Sequence, residues 1–480
     1  MIHAFKLLTL VLGLVASTVS HAGDIVAFEP GKALPAAVLR NVPVKAVIAE
    51  FLDPDETGLG KELSYLLWRE VLSAISDQAG AGVILARAPG EQRVTTLLGT
   101  SYHAAALKIA ASQGARMAVW GALVEQGERI SIDVFLSLLG DAPGAELALR
   151  LTANGGDTGL VARIGRTKFN FAPVLIDRRT LFVRALVARA NTLVRDTKQD
   201  NKTIATLAAG TVLRAEGMRG RWFQVMLPDG RHGQVDIASI ELPPRSVQLP
   251  PGVALKTAPR DSAPTRATSE GASMPEVLDM KQVNGATWYR LAAPSGEAWV
   301  PAWRVRAHFS LPAVHFIAGL YRYQLGRWDD AVREFEQFVR SPGVEADNLS
   351  LSTAYQLLGA SRLMAASKAN NLPGVKGWED DYASALRQTP LDATVYTQRG
   401  LAELAVKKNI DAATGDFARA LKIDATHGDA RQALRALDAH AQQRPEALRL
   451  QHLRLAPATP AQRVLIDSVA REVKLRGPNG

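Results

Sequence analysis

The sequence predicts a multidomain chain: an α/β domain, then two small β-barrels, then an all-α array of helical repeats. Three observations predict it. Between Val44 and about Phe171, apolar runs of strand length alternate with stretches of helical spacing. Further on, an aromatic pair leads twice into a Pro-x-Gly turn, with Trp222 and Trp288 set 66 residues apart. From Leu311 the apolar pattern changes to paired helices with small residues and aromatics at recurring offsets.

Residues 1–22 read as a targeting segment rather than as part of the fold. Lys6 supplies the positive charge, Leu7 to Val15 is an apolar core too short to span a bilayer, and Ser20-His-Ala22 offers small residues for cleavage after Ala22. The expectation is therefore a periplasmic protein. There is no cysteine, which excludes a lipid anchor at the cleavage site, disulfides and thiol chemistry. No later apolar run approaches the roughly 20 residues of a spanning helix, so no transmembrane anchor is expected.

Length and charge set further limits. At 480 residues the chain is too long for one core, and about three domains are expected. The net charge of +9 comes from 56 Lys and Arg against 47 Asp and Glu. In a secreted protein this favours anionic partners, such as cell-wall polymer, lipopolysaccharide or acidic protein surfaces. Nucleic acid is the weaker reading, because the targeting segment removes the protein from it.

In the first domain, residues 40–172, Val44 to Phe51 is a strand. Gly58 and Gly60 break it, and Lys61 to Gln78 is a helix with Leu63, Leu66, Leu67, Val71, Ala74 and Ile75 on one face. Val83 to Ala86 is a second strand, and His103 to Gln113 a second helix. Two alternating runs on either side of Gln126-Gly127 form an antiparallel hairpin, and a further strand is expected over Glu146 to Leu151. The run Ala111-Ser-Gln-Gly-Ala-Arg-Met-Ala-Val-Trp-Gly121 with Gly127 to Leu136 resembles the TolB amino-terminal domain over about 100 residues. That resemblance implies a docking module without catalytic activity. Arg116-Met117 stands where the family commonly has Asp-Tyr.

Each aromatic pair opens a hairpin: Trp222-Phe-Gln-Val-Met-Leu-Pro-Asp-Gly230 and Trp288-Tyr-Arg-Leu-Ala-Ala-Pro-Ser-Gly296 share the same spacings from Trp to Pro to Gly. With Leu193-Val194-Arg195 and Leu207 to Val212, the segment 183–243 resembles the bacterial SH3-like domain, and 246–308 resembles a degenerate second copy. Pro259 to Met274 is Pro-, Ser- and Thr-rich and reads as an exposed loop inside that copy. A domain of about 60 residues needs a large side chain in its core, which places Trp222 and Trp288 inside. Alternation then turns Phe223 and Tyr289 outward as ligand-binding candidates. Trp299 and Trp303 join Tyr289 in an expected aromatic shelf, since members of the family bind wall peptides in this way while others bind only protein.

Residues 311–442 resemble tetratricopeptide repeats. Phe316 to Phe335 forms one pair of helices, Tyr355 to Arg362 with Trp378 to Pro390 a second, and Thr394 to Ala425 a third. Asp429 to Ala441 is the expected capping helix. In that family the array makes a groove for a protein partner, at positions matched here by Phe316, Tyr323 and Thr397; the same residues also fit a core between repeats. Residues 443–480 are expected to be a C-terminal tail with one amphipathic helix over Arg463 to Leu475.

No catalytic constellation stands out. There is no His-Glu-x-x-His, no Gly-x-Ser-x-Gly and no phosphate loop, because Gly60-Lys61 is followed by Glu62. Asp53-Pro-Asp55-Glu56 suits a cation or, more commonly, a cap on the next helix. No cofactor, metal or catalytic residue is assigned. The expected function is a non-enzymatic periplasmic adaptor that binds peptidoglycan through SH3-like domains and a protein partner of the cell envelope through the helical repeats. One alternative is an assembly or regulatory factor that uses every module for protein. A carbohydrate-active enzyme is a third class, and would turn over purified wall polymer.

Overall fold

The computed structural model describes residues 43–54, 59–75, 81–86, 100–127, 129–140, 147–153, 159–164, 166–177, 185–189, 191–197, 202–219, 222–236, 239–241, 244, 246–284, 286–293, 296–341, 343–344, 347–442 and 453–456. The targeting segment expected over residues 1–22 and the helix expected over Arg463 to Leu475 lie outside them. The chain forms two compact units. Asn41–Ala88, Gln92–Leu181 and Phe309–Gly480 belong to one, and Phe182–His308 to the other. The α/β segment and the helices thus share a unit, although the sequence separates them by more than a hundred residues.

The α/β part runs β1 (Val44–Ala49), α1 (Leu59–Ala74), β2 (Ala81–Ala86), α2 (Thr100–Ser112), β3 (Met117–Gln126), β4 (Arg129–Leu138), β5 (Ala148–Ala153), β6 (Gly159–Arg163), β7 (Lys168–Asn170) and β8 (Val174–Asp177). β1 lies parallel to both β2 and β3, with α1 and α2 as the crossovers that parallel strands require. β3 and β4 pair antiparallel along all ten residues, from Met117↔Leu138 to Gln126↔Arg129. Gly127 closes that hairpin at φ +66°, a left-handed conformation that glycine adopts at no steric cost. β7 and β8 then extend β4 at different positions. Asp53 accepts from the Gly60 amide at 3.2 Å at the start of α1, the capping role that its cluster suggested.

The second unit holds β9 (Ala185–Ala188), β10 (Thr192–Arg195), β11 (Thr203–Leu207), β12 (Val212–Arg219), β13 (Trp222–Met226), β14 (His232–Asp236) and β15 (Ile240–Glu241). β16 (Ser246–Gln248), β17 (Ala254–Lys256), β18 (Thr265–Thr268), β19 (Val277–Val283), β20 (Ala286–Ala293), β21 (Gly296–Pro301) and β22 (Arg306–His308) follow. The order β11-β10-β14-β13-β12 recurs as β18-β17-β21-β20-β19. Irregularities recur with it: the register shifts at Val194/Arg195 and at Leu255/Lys256, and again between Ala215/Gly217 and between Val277/Asp279. Two sheets with the same order and the same bulges are an internal duplication. The Pro/Ser/Thr-rich segment contains β18, where a loop was expected. Its threonines suit an extended strand, and at the end of the sheet they face solvent, so no apolar alternation marks it.

The helices are α3 (Ala313–Gln324), α4 (Trp328–Val339), α5 (Asn348–Lys368), α6 (Trp378–Gln388), α7 (Ala393–Ala402), α8 (Ile410–Ile423) and α9 (Gly428–Ala441). Three helical pairs share one contact: a Cβ added at Gly319, Gly359 or Gly400 would meet Phe335, Tyr382 or Phe417 at 2.6, 3.1 and 2.7 Å. Each glycine lets the ring of the following helix approach its backbone. The residue before each ring is acidic and pairs back to an arginine of the preceding helix: Glu334 to Arg322, Asp381 to Arg362, Asp416 to Arg399. Asp347, Asp392 and Asn409 cap α5, α7 and α8 through their side chains. After the helices, β23 (Leu453–Ala456) returns and pairs antiparallel with β5, which completes the small sheet β23-β5-β6.

Candidate functional site

The face of the array that the sequence offered to a partner is filled by the chain itself. Phe316 is 0 % exposed, with its ring 5.0 Å from Phe169 and 5.3 Å from Phe171, on and just after β7. Tyr323 donates its hydroxyl to the Ala148 carbonyl on β5 at 3.2 Å. Tyr321 donates to Gly82, and Arg322 to the Ala74 carbonyl at the end of α1. Ser350 of α5 donates to Asn170, α7 packs on β5 and β6, and Asp429 of α9 accepts from the Arg163 amide and also pairs with its guanidinium. The alternate helices α3, α5, α7 and α9 therefore each meet an α/β strand. Thr397 is fully buried in α7, its hydroxyl satisfied by the Ala393 carbonyl four residues back. Phe316, Tyr323 and Thr397 are thus core residues and line no open groove. The expectation of a free groove failed because the hairpin β5–β6, the strand β7 and the returning β23 occupy that side.

Glu70 on α1 joins this unit at the start of the array, where its Oε1 accepts from the Ser310 amide at 2.9 Å. Burial pushes its carboxyl above the usual carboxylate range, and the hydrogen bonds from Ser310 offset only part of that. Burial likewise pushes the phenols of Tyr321 and Tyr323 up.

In the two sheets of the second unit the phase of the aromatic pair is opposite to the expectation. Phe223 is 0 % exposed and faces inward with Val225 and Leu227, opposite Val235, whereas Trp222 is only half-buried, with the Arg195 guanidinium 4.8 Å from its ring. In the second copy Tyr289 packs on the core of Val247, Leu255, Leu291 and Val300. The reason lies in the next residues. Gln224 and Arg290 share the phase of Trp222 and Trp288, while Val225 and Leu291 share the phase of Phe223 and Tyr289, so the apolar face is the one the second aromatic belongs to. Trp288 is nonetheless 3 % exposed, so the expected burial holds for it.

Trp299 stands opposite Arg290 and Lys256, on the other face of the sheet from Tyr289, and is 8 % exposed. Lys281 Nζ lies 5.4 Å and the Arg290 guanidinium 6.0 Å from its ring, and Arg290 in turn pairs with Glu297 and Asp279. No shelf of Tyr289, Trp299 and Trp303 forms, because strand alternation separates the first two. Trp303 is different. It sits in the short 3-10 turn Ala302–Arg304, is 66 % exposed, and has the Arg304 guanidinium 4.1 Å over its ring. Residues 182–308 carry 17 Lys and Arg against 11 Asp and Glu, so six of the nine excess positive charges fall in this unit. A flat exposed ring beneath a cation, in a basic unit, suits an anionic partner with an apolar or sugar face.

Among the described residues no group of three or more His, Asp or Glu is placed to hold a metal ion, and no helix is long and apolar enough to cross a membrane. No family model and no curated protein matches the chain.

Proposed function

We propose that this chain is a non-enzymatic adaptor of the periplasm whose tandem SH3-like barrels bind an anionic partner, with cell-wall peptidoglycan as the first assignment. The observation that carries it is Trp303, exposed beneath Arg304 in the unit that holds six of the nine excess positive charges. On this reading the tetratricopeptide-like array acts as a clamp that fixes the TolB-like domain and offers no peptide groove. A second reading, an assembly factor that binds only envelope proteins, draws on Leu349 and Leu391, 49 % and 74 % exposed beside one another at one edge of the array.

Co-sedimentation of residues 23–480 with purified sacculi at two salt concentrations tests the first reading. Binding that weakens with salt and is lost in a folded Trp303→Ala, Arg304→Ala variant supports it. A protein that stays in the supernatant at low salt refutes wall binding and leaves the all-protein reading.

A further inference from the structure

The inner face of the array is filled, but one end of it stays open. The stretches that lead into α5, α7 and α9 form a trough of about 710 Å³, lined on its apolar side by Leu349, Pro390, Leu391 and Ile423. Leu391 is 74 % exposed, more than any other large apolar residue among those described, and Leu349 is 49 % exposed on the same trough. An apolar surface rimmed by polar groups marks a contact site. Its sequence is repeated: Leu391-Asp-Ala-Thr394 recurs as Ile423-Asp-Ala-Thr426, 32 residues on. In both, the Asp Oδ1 accepts from the amide and the hydroxyl of the Thr, at 2.9 and 2.6 Å in the first and at 2.8 and 2.7 Å in the second. Those bonds account for the Asp and the Thr as turn formers. The apolar residue before each Asp takes no part in them.

The charges of the trough are of one sign. Asp392 and Asp424 bring its carboxylates, and among the described residues no Lys or Arg lines it. Oδ2 of each accepts no hydrogen bond among the described residues. The hydrogen bonds from Thr426 hold the Asp424 carboxyl below the usual range, so it is ionised at neutral pH, and His427 and Arg431 offset part of its charge. Residues 311–442 carry 15 Lys and Arg against 16 Asp and Glu in a chain of net charge +9, so the excess positive charge lies elsewhere and does not repel a cation here.

We propose that this trough docks a basic amphipathic segment of another protein, with apolar side chains against Leu349, Leu391 and Ile423 and Lys or Arg against Asp392 and Asp424. A small molecule would stay largely in water in so open a site, whereas a segment covers it. An acidic segment would meet two carboxylates. The inference rests on the protein-binding reading of Leu349 and Leu391 and needs no residue of 182–308, so it and wall binding fail separately.

Fluorescence anisotropy of labelled helical peptides of about three turns, titrated with the full chain, tests it. One peptide is built of leucine and lysine, one of leucine and glutamine, and one of alanine and lysine. The first is expected to bind about tenfold more tightly than either of the others. Leu349→Ser with Leu391→Ser, at exposed positions and checked by thermal unfolding, is expected to weaken it about tenfold. Asp392→Asn with Asp424→Asn keeps capping side chains and is expected to bring the lysine and glutamine peptides to equal affinity. Equal affinity for those two on the native chain overturns the basic partner while leaving a protein contact at the leucines. Binding that survives the serine variant, or no binding at all, overturns the site. A dimer that the serine variant dissociates in sedimentation velocity overturns it in favour of a second copy, and binding that appears only with Leu465→Asp overturns it in favour of the chain's own C-terminal segment.

Discussion

Phe316 and Trp303 are both large aromatics in repeated structure, and the sequence offered both as contact residues. In the array Phe316 is fully buried against Phe169 and Phe171, while in the second β copy Trp303 is 66 % exposed. The difference lies in what the chain places opposite each repeat. Alternate helices of the array each meet an α/β strand, so their shared face is consumed in folding. The Ala302–Arg304 turn presents Trp303 to solvent with Arg304 over its ring. A repeat architecture therefore does not by itself announce a binding groove.

The largest break in this comparison should come from truncating the two aromatics in parallel. Phe316→Ala removes a ring surrounded by four others and is expected to cost about 3–5 kcal/mol, whereas Trp303→Ala should stay within about 0.5 kcal/mol, both read by chemical denaturation. Within the first β copy, Phe223→Ala should destabilise by roughly 3 kcal/mol or more and Trp222→Ala by distinctly less; the reverse order would restore the phase in which Trp222 fills the core.

The glycine contacts sharpen the account of the array. Gly319→Ala and Gly400→Ala force a Cβ to within 2.6 and 2.7 Å of Phe335 and Phe417 and should each cost about 1–3 kcal/mol. At Gly359 the nearest atom of Tyr382 is 3.1 Å away, so the helix propensity gained, about 1 kcal/mol, should cancel much of the strain. Thermal unfolding of the three variants checks that ranking.

The smallest effect is one of pH. The Glu70 carboxyl is raised in the folded state, so its contribution to stability is fully present below the unfolded pKa and is lost as pH rises through the folded value. Glu70→Gln lacks this titration. Its stability relative to the native chain should improve as pH rises above the ordinary glutamate range and level off once the folded carboxyl has ionised, measured by denaturation at each pH.

Much of this architecture was legible in the sequence. β1, α1, the β3–β4 hairpin and the paired helices followed from periodicity, because each buries one face along a long, regular segment. The duplication was visible in its turn chemistry, since Pro-x-Gly at a fixed distance from an aromatic fixes where two strands reverse. The phase of those strands was legible too, in Gln224 and Arg290, but the size of the tryptophans argued for the wrong side. The filling of the array was not legible. Leu453–Ala456 pairs with Ala148–Ala153 across some 300 residues, and nothing local in a four-residue strand specifies so distant a partner. Tyr323 likewise fits a groove or a core equally well until Ala148 is known to lie against it.

Native-state hydrogen exchange tests the central claim, that the array and the α/β strands on its inner face are one structure. The amides of β5 (Ala148–Ala153) and α7 (Ala393–Ala402) should show the same opening free energy, and their dependence on denaturant should merge into one global unfolding. If β5 opens at lower free energy while α7 stays protected, the face is a detachable cover over a groove, and the account is wrong.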